Sequence, residues 1–316
     1  MIRIVSAVAA CCLVATSARA EFPDRPIRII VPTAPGGSSD IVTRIIAEAA
    51  TPFLGQRVVV ESRPGGNGNV GMDAVAKSAP DGYTLGNCAI GTCTVNPFLY
   101  RMPYDIRTEI QPVFWAVSLT NALAVNARLP VRNVEEFIAL ARTRTLFYGS
   151  SGIGSLHHMS AELLGPQLGV RFEHVPYRGA GPAMQDLMGG RIDFMIENIS
   201  TVVGPARDGA IRPLAVTGPT RSEAAPDLPS FTELGYRDMV VLAWFGFVGP
   251  AHMPPAVVAT LNSAFNRALQ TEMVQTRFRE MSLVAEGGSP ERFQQHIDSE
   301  LARWERIVRE RGIRAE

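Results

Sequence analysis

The sequence predicts an α/β protein built of two lobes, and three observations support this prediction. Apolar runs alternate with segments of helical periodicity from residue 27 onward, a pattern typical of βα units and a parallel sheet. The alternation stops between 96 and 115 and restarts with a new apolar strand at 122–126. The apolar run at 240–248 is long enough to cross from one lobe into the other. We therefore expect the chain to leave the first lobe near residue 120 and to return near residue 240, and two such crossings form a hinge.

The first twenty residues have the pattern of a secretory signal peptide. Arg3 provides a positive start, residues 4–15 are almost wholly apolar, and Ala18-Arg19-Ala20 fits a small-residue cleavage site. Residues 8–11 also resemble a lipoprotein cleavage box, but the apolar run before Cys11 is short, so we favour cleavage after Ala20. Cleavage there leaves 296 of the 316 residues. We predict an exported protein whose first lobe comprises 21–121 and 241–316 and whose second lobe comprises 122–240.

The charge balance excludes one class of partner. The chain has 30 basic and 30 acidic residues, and two of the basic ones lie in the signal segment, which leaves a mature net charge of −2. Such a chain, whose one lysine is Lys77, is not expected to bind nucleic acid or an anionic membrane surface. Cleavage also leaves two cysteines, Cys88 and Cys93. In an oxidising compartment they are able to pair across a tight loop, and the sequence leaves open whether they do.

In the first lobe the elements follow the order βαβαβ. Residues 27–31 form a buried strand, and a Pro/Gly/Ser turn follows it. Apolar side chains then mark one face of a helix that ends near Gly55. These side chains are Ile41, Ile45, Ala49 and Phe53. The remaining predicted elements are a strand at 57–60, a helix at 70–77 and a strand at 83–88.

The second lobe and the tail are predicted from the same signals. Asn133 with Glu136 three residues later forms a capping box for a helix that runs through Arg142. Further strands are predicted at 146–150, 192–196 and 213–216, and further helices at 157–168 and 180–188. The tail is an amphipathic helix that begins at Ser289-Pro290, and we expect it to pack onto the first lobe. Its apolar positions are Phe293, Ile297, Leu301, Trp304 and Val308.

Three turns share one design, in which a strand is followed by small residues that open a helix. They comprise residues 33–40, 149–155 and 177–183. Glycines let the backbone come close to a ligand, and the N–H groups and dipole at a helix start favour an anion. Ligands of open α/β sheets lie at the carboxyl ends of strands, where these turns occur. Because one turn belongs to the first lobe and two belong to the second, we predict a shared anion site between the lobes.

Residues 66–71 form a literal G-x-G-x-x-G between a strand and a helix, which is a pattern of dinucleotide binding. That function also requires an acidic residue about 20 positions later to hold the ribose. Residues 85–94 contain none. We therefore do not expect a nucleotide cofactor.

A serine hydrolase is the alternative from a different functional class. Ser150, Ser151 and Ser155 lie close in sequence to His157 and His158, but the surroundings of Ser151 lack the G-x-S-x-G elbow. Adjacent histidines on a helix point about 100° apart and are poorly placed to chelate one metal. The chain also lacks H-E-x-x-H. We expect no catalytic residues, no metal site and no cofactor.

Two features leave two interpretations open. Arg178 could clamp a carboxylate in a bidentate manner, or it could be a solvated loop residue. We favour the solvated residue slightly, because the backbone of its turn already offers donors. Trp244 and Phe245, on the returning strand, either line the cleft or pack in the core.

Six segments of the sequence together carry a family resemblance. They are PIRIIVP at 26–32 leading to Gly36, Gly37 and Asp40, RPGG at 63–66 through Gly71, APDGYTL at 79–85, PYD at 103–105, VPYRG at 175–179 and GGSPE at 287–291. In these segments the chain resembles the tripartite tricarboxylate transporter receptors, also called Bug (Bordetella uptake gene) extracytoplasmic solute receptors. The resemblance covers nearly the whole mature chain.

The resemblance implies a type II-like periplasmic-binding-protein fold, with two lobes that close on a ligand. It implies a periplasmic, monomeric receptor that captures a small carboxylate and passes it to integral-membrane transporter subunits. Dicarboxylates, tricarboxylates, acidic amino acids and aromatic acids all fit this description. A sensor that presents its ligand to a signalling partner is the second possibility among binding proteins. The residues to which we assign ligand contacts are Pro35, Gly36, Gly37, Ser38, Asp40 and Thr92 in the first lobe, and Ser151, Gly152, Ser155, Tyr177, Gly179, Ala180, Glu197 and Asn198 in the second.

The chain departs from the family pattern at three places. Glu197 precedes Asn198 where the family commonly has an aspartate, which is one methylene shorter. The loop at 87–94 carries two cysteines where serine, threonine or glycine is more usual. Residues 251–254 replace a Gly-Thr-Pro turn. The first two departures bear on ligand identity, and the third is structural.

Overall fold

The computed structural model describes residues 22–315, so the predicted signal peptide lies outside the described residues. In chain order the elements up to the second lobe are β1 (Ile27–Val31), α1 (Ser38–Leu54), β2 (Val58–Ser62), α2 (Asn69–Ala76), β3 (Thr84–Ala89), α3 (Asn96–Leu99) and β4 (Ile110–Asn126). A π-helical segment, Ile90–Val95, joins β3 to α3.

The second lobe and the return to the first supply the other elements. The second lobe contains α4 (Val134–Thr143), β5 (Leu146–Ser150), α5 (Leu156–Leu168), β6 (Phe172–Pro176), α6 (Ala180–Gly189), β7 (Phe194–Asn198), α7 (Ile199–Arg207) and β8 (Ile211–Val216). The returning chain forms β9 (Leu242–Pro250), α8 (Pro255–Leu269), α9 (Glu272–Glu280), β10 (Val284–Ala285) and α10 (Pro290–Arg311). None of these described helices has both the length and the apolar character needed to cross a membrane.

The strands join into one mixed sheet in the order β2-β1-β3-β9-β4-β7-β5-β6, with β8 and β10 also paired to β4. Pairing is parallel within each lobe away from the crossing, at β1–β2, β1–β3, β5–β6 and β5–β7. Pairing is antiparallel where the crossing strands β4 and β9 take part. The predicted two-lobed α/β fold, with helices on the sheet faces, is therefore confirmed.

Strand β4 connects the two lobes without a break. Its first part, up to Thr120, pairs with β9, and its last part, from Asn121 on, pairs with β7 and β8. The predicted start of this strand at Ala122 is wrong by twelve residues, because β4 begins at Ile110. Pro112 hid the strand from sequence reasoning. The structure tolerates it because the register shifts between Pro112 and Phe114, and an irregular ladder can accommodate a proline. The predicted lobe boundaries at 121/122 and 240/241 stay a prediction.

Helix α1 ends where the sequence predicts, and two of its four predicted apolar positions are buried. Gly55 ends it in the left-handed conformation, with φ of 65°. Of the predicted positions, Ile45 and Ala49 are buried, Phe53 is half-buried and Ile41 is 36% exposed. The buried face also includes Val42, Ile46 and Ala50, and helix α8 packs against α1. The sequence reasoning did not identify α8, although Pro255 at its first position was a usable signal.

The tail helix α10 packs onto the first lobe as predicted. Its Ser289 side chain accepts the Arg292 N–H as the N-terminal cap. Phe293 and Trp304 are fully buried. The Trp244 ring lies edge-on to Phe293, with 5.7 Å between ring centroids, and is 1% exposed. Trp244 is therefore a core residue beneath the tail helix and does not line the cleft.

Candidate ligand site between the lobes

The predicted site residues lie where strands of both lobes end. In the first lobe β1 leads into the turn at 32–37 and β3 leads into the π-helical segment. In the second lobe β6 and β7 each pair in parallel with β5, so the carboxyl ends of all three strands lie at the same edge of the sheet. The Asn198 Nδ2 donates to the Ser38 Oγ at 3.1 Å, which joins the two edges directly. The structure thus brings the first-lobe turn and the end of β7 together.

In the first-lobe turn Asp40 organises the backbone. Its Oδ2 accepts the Gly36 N–H at 3.0 Å, and Arg44 donates to both carboxylate oxygens. Burial acts to raise the pKa of Asp40, but the hydrogen bonds from Arg44 and Gly36 and the charge of Arg44 hold it below its ordinary value. Pro35 and Gly36 are exposed, and Gly37 is half-buried. The Asp40 carboxylate is therefore engaged by Gly36 and Arg44, and the turn is exposed at Pro35 and Gly36.

Three helices start at the site without a side-chain cap. They are α1 after Gly37, α6 after Gly179 and α7 after Asn198. Side-chain oxygens therefore do not take up the first N–H groups of these helices, which remain available to a ligand. Gly179 needs to be glycine for a backbone reason, since its φ of 128° is rarely adopted by other residues. Ala180 is the first residue of α6.

Two stacked imidazole rings, those of His158 and His174, hold the loop after β5 in place through hydrogen bonds. His158 Nδ1 accepts the Gly154 N–H at 3.1 Å, and His174 Nε2 lies 2.6 Å from the Ser150 Oγ. The Ser150 Oγ in turn accepts the Gly152 N–H. The two rings stack with centroids 4.2 Å apart. Burial lowers the pKa of His158 to about 4, and burial together with His158 lowers that of His174 to about 3.

Ser155 and Tyr177 have their hydroxyl groups engaged within the second lobe. The Ser155 Oγ accepts the His158 N–H as the cap of α5. The Tyr177 hydroxyl donates to Asp186 at 2.8 Å, and burial followed by this bond raises the pKa of Tyr177 to about 12. Ser151 and Gly152 are half-buried in the loop, and Arg178 is exposed. The Ser155 hydroxyl therefore keeps its own hydrogen for donation to a ligand, whereas the Tyr177 hydroxyl has already donated its hydrogen to Asp186.

Glu197 is the buried acid of the site. It is 1% exposed, and its Oε1 lies 3.2 Å from the His157 Nε2 and accepts the Asn198 N–H and the Thr201 hydroxyl. Burial acts to raise the pKa of Glu197, but His157 and these hydrogen bonds lower it below its ordinary value. Among the described residues, Glu197 Oε2 and Asn198 Oδ1 have no hydrogen-bond partner. Both atoms are acceptors, so they suit a ligand group that donates.

A disulfide shapes the first-lobe wall beside Thr92. Cys88 of β3 and Cys93 of the π-helical segment are joined and fully buried, which answers the question that the sequence left open. Between them the Thr92 Oγ1 accepts the Ala89 N–H and donates to the Ala89 carbonyl, both at 3.2 Å. Thr92 thus closes a tight loop whose backbone faces the second lobe, since Gly91 lies close to the Gly154 carbonyl.

The sequence reasoning missed a second link between the lobes. The Asn67 Nδ2 donates to the Ile153 carbonyl at 2.7 Å, and the Tyr100 hydroxyl donates to the same oxygen at 3.0 Å. Asn67 is the second residue of the G-x-G-x-x-G segment. The sequence does carry a signal for this turn, because an asparagine between two glycines is typical of a left-handed backbone.

The hydrolase alternative finds no support in this geometry. Among the described residues no hydrogen bond links Ser151 to a histidine, since His157 contacts Glu197 and His158 contacts Gly154. Ser150 does pair with His174, but its side chain is fully buried. Residues 22–315 also contain no cluster of three or more His, Cys, Asp or Glu side chains arranged for a metal.

Two surface hollows lie elsewhere on the molecule. One of about 340 Å³ lies at the end of α10 beside Phe98, and one of about 300 Å³ lies around Pro112 and His252. Neither is lined by the strand ends or the uncapped helix starts described above. The donors at the strand ends and helix starts therefore make the region between the lobes the candidate ligand site.

Comparisons with known proteins agree on one family. The sequence pattern described as "Tripartite tricarboxylate transporter family receptor" matches residues 42–313. Protein BugT of Bordetella pertussis is 32% identical over 297 residues, which cover 93% of this chain and 91% of BugT.

Two solved structures with the same architecture carry bound carboxylates. Rpa4515 of Rhodopseudomonas palustris, solved with adipate, is 35% identical and superposes with a TM-score of 0.89 over 93% of this chain and 100% of its own. MatC of Rhodopseudomonas palustris, solved with bound malate, is 31% identical, with a TM-score of 0.85 over 91% of this chain and 100% of its own. These similarities concern the whole described architecture and are not limited to one lobe.

Proposed function

The chain belongs to the tripartite tricarboxylate transporter receptor family, and on that premise we propose that it is a periplasmic receptor for a small carboxylate. In this proposal the signal peptide directs export, and the two lobes close on the ligand. The closed receptor, acting as a monomer, then delivers the ligand to integral-membrane transporter subunits. The family is one of solute-binding receptors and not of enzymes.

One observation carries the proposal, namely that two helix starts meet across the cleft. Ser38 is the first residue of α1, Asn198 immediately precedes α7, and their side chains are hydrogen-bonded. A helix start carries roughly half a positive charge. The acids beside these starts already have basic partners, Asp40 with Arg44 and Glu197 with His157. Two positive ends that face each other favour an anion between them, and a carboxylate fits this requirement.

The unpaired acceptors at the end of β7 favour a carboxylate that also carries a hydrogen-bond donor. Glu197 Oε2 and Asn198 Oδ1 are buried without a partner, and leaving such atoms unpaired costs about 1–3 kcal/mol each. A ligand hydroxyl or ammonium group would satisfy them. Adipate and malate, found in the related proteins, are both dicarboxylates, and malate also carries a hydroxyl. We therefore propose short carboxylates with a hydrogen-bond donor, such as hydroxydicarboxylates, as the preferred ligands.

The test is a binding screen on mature protein that has been unfolded and refolded to remove any ligand carried through purification. A ligand at 100 times its dissociation constant stabilises the fold by about 2.7 kcal/mol, which a thermal-shift assay detects. We expect stabilisation by short carboxylates, and tighter binding of malate than of succinate in calorimetry. If no carboxylate of the panel binds folded protein, the proposed ligand class is wrong, although the family assignment stands.

The matched variants Gly37→Asp and Gly37→Asn test whether the start of α1 is the anion site. Gly37 has φ of −80°, and nothing lies within 4 Å of a Cβ built there, so both side chains fit. Aspartate would place a permanent carboxylate at the helix start and compete with the ligand, whereas asparagine has the same shape without the charge. We expect the aspartate variant to bind at least about tenfold more weakly than the asparagine variant without a lower melting temperature. Equal affinities would rule out this helix start as the anion site.

A further inference from the structure

The G-x-G-x-x-G turn contains a residue with an unusual backbone. Asn67 has φ of 54° and ψ of 36°, and it is one of three non-glycine residues with positive φ among the described residues. Its neighbours Gly66 and Gly68 also have positive φ. From this left-handed turn the Asn67 side chain extends to the second lobe, where its amide contacts Ile153.

The amide of Asn67 is positioned from both sides. Its Nδ2 donates to the Asn96 Oδ1 at 2.9 Å as well as to the Ile153 carbonyl, which uses both of its hydrogens. Asn96 is fully buried, and its own Nδ2 donates to the Asn67 carbonyl and to Asn69. The donor is therefore held in place before the second lobe arrives.

The second lobe presents a loop shaped to fit against this donor. A Cβ at Gly154 would lie 2.8 Å from the Leu99 Cδ1, and a Cβ at Gly152 would lie 3.2 Å from the Asn67 Oδ1. Both glycines also have positive φ. Glycine at 152 and 154 lets the loop approach Asn67, Leu99 and Tyr100, and leaves the Ile153 carbonyl as the acceptor of two first-lobe donors.

We propose that Asn67 is a positioning residue for ligand binding, which clasps the loop of the second lobe and sets the affinity for every ligand by the same factor. The inference rests on the proposed function only in assuming that binding accompanies lobe closure. The clasp contacts backbone that belongs to the loop at 151–155 and is separate from the Ser38–Asn198 contact. For a ligand whose bound form needs the closed lobes, the apparent dissociation constant rises in inverse proportion to the closed fraction of the ligand-free protein.

The test compares Asn67→Gly with wild-type protein in binding L-malate and adipate. Glycine accepts the left-handed backbone, so the variant removes the donor without strain. The matched control is Ser282→Gly. It also introduces glycine at a residue with a left-handed backbone, with φ of 55°, after the end of α9 in the first lobe. Tyr100→Phe removes the second donor to Ile153, with Tyr83→Phe as its control, because the Tyr83 hydroxyl bonds within the first lobe.

We expect Asn67→Gly to weaken both probes by the same factor, about three- to tenfold, mainly through faster dissociation. Tyr100→Phe should give a smaller loss, and both control variants should match wild-type protein. Small-angle scattering of the ligand-free protein should show a larger radius of gyration for Asn67→Gly. Unchanged dissociation constants, or a loss for one probe only, would overturn the clasp.

If wild-type protein binds neither probe, the failure concerns the proposed ligand class, and the scattering measurement decides the clasp. Equal radii of gyration for ligand-free wild-type and Asn67→Gly protein would then overturn it. A larger radius for the variant would support it independently of any ligand.

Discussion

At the scale of single residues, the stacked rings of His158 and His174 connect protonation to the shape of the loop at 151–155. His158 can accept the Gly154 N–H only while its Nδ1 carries no proton, and the pKa of His158 is lowered to about 4 by burial. A proton on either ring also places charge against its neighbour, because the rings lie 4.2 Å apart. The loop at 151–155 is therefore expected to weaken in acid.

We expect wild-type protein to lose stability as the pH falls from about 6.5 to about 4. In that window His158 takes up a proton in the unfolded chain but not in the folded one, so acid favours unfolding. The lowered pKa corresponds to about 3 kcal/mol, all of it present above pH 6.5. The measurement is urea unfolding at several pH values. His158→Asn keeps an acceptor near the same place without titrating, so its curve should fall less steeply. Parallel curves for the two proteins would contradict this account.

Residue-level reasoning predicted the backbone turns better than the roles of side chains. The glycine turns after β1, β5 and β6 were visible because glycine and a helix start have local signatures. The engagement of Tyr177 with Asp186, and of Asp40 with Arg44, was not visible, because these contacts depend on which way a side chain turns in the folded protein. The same limit applies to Asn67, whose partner Ile153 is 86 residues away.

At the scale of elements, the segment between β3 and α3 has an irregular backbone. It begins at a disulfide, turns as a π-helix and faces the second-lobe loop through Gly91. The sequence predicted β3, as a strand at 83–88, and a break in periodicity at 96–115, but neither the π-helical segment nor α3. The early start of β4 could not be predicted because Pro112 resembles a strand break unless the irregular pairing beside it is known. The start of α8 could not be predicted because the Pro254-Pro255 pair resembles a loop.

Replacing both Cys88 and Cys93 with serine should destabilise the protein by about 2 kcal/mol. The bond closes a loop of only six residues, so the entropy that it removes from the unfolded chain is at the low end of the usual range. The measurement is urea unfolding with and without a reductant that acts on the unfolding chain. Reductant should lower the stability of wild-type protein to that of the double variant and leave the double variant unchanged. A double variant as stable as oxidised wild-type protein would show that the link contributes nothing.

At the scale of the whole molecule, the two crossings meet at one buried hydroxyl. The Thr217 Oγ1 donates to the Val241 carbonyl at 2.6 Å and accepts the Asn121 N–H at 3.1 Å. The Asn121 Nδ2 also donates to the Val241 carbonyl. Asn121 lies on β4 and Val241 immediately precedes β9, so Thr217 ties the outgoing chain to the returning chain at the hinge.

We expect Thr217→Val to destabilise the protein by about 2 kcal/mol, because valine keeps the shape but leaves the Asn121 N–H with one partner fewer in a buried site. Thr217→Ser keeps the hydroxyl and serves as the matched control, with a smaller loss from the missing methyl group. Chemical denaturation of the three proteins is the measurement. Equal losses in the two variants would assign the effect to packing and not to the hydrogen bonds.

The topology of β4 and β9 also orders events during synthesis. The second lobe needs β4 through β8, a continuous stretch of chain, so it can fold as soon as those residues have emerged. The first lobe cannot be completed until β9 and α10 follow, because β3 and the first part of β4 pair only through β9. In a nascent chain β3 therefore lacks its β9 partner until after the second lobe has been made, so the second lobe is expected to complete its sheet first and the N-terminal third last.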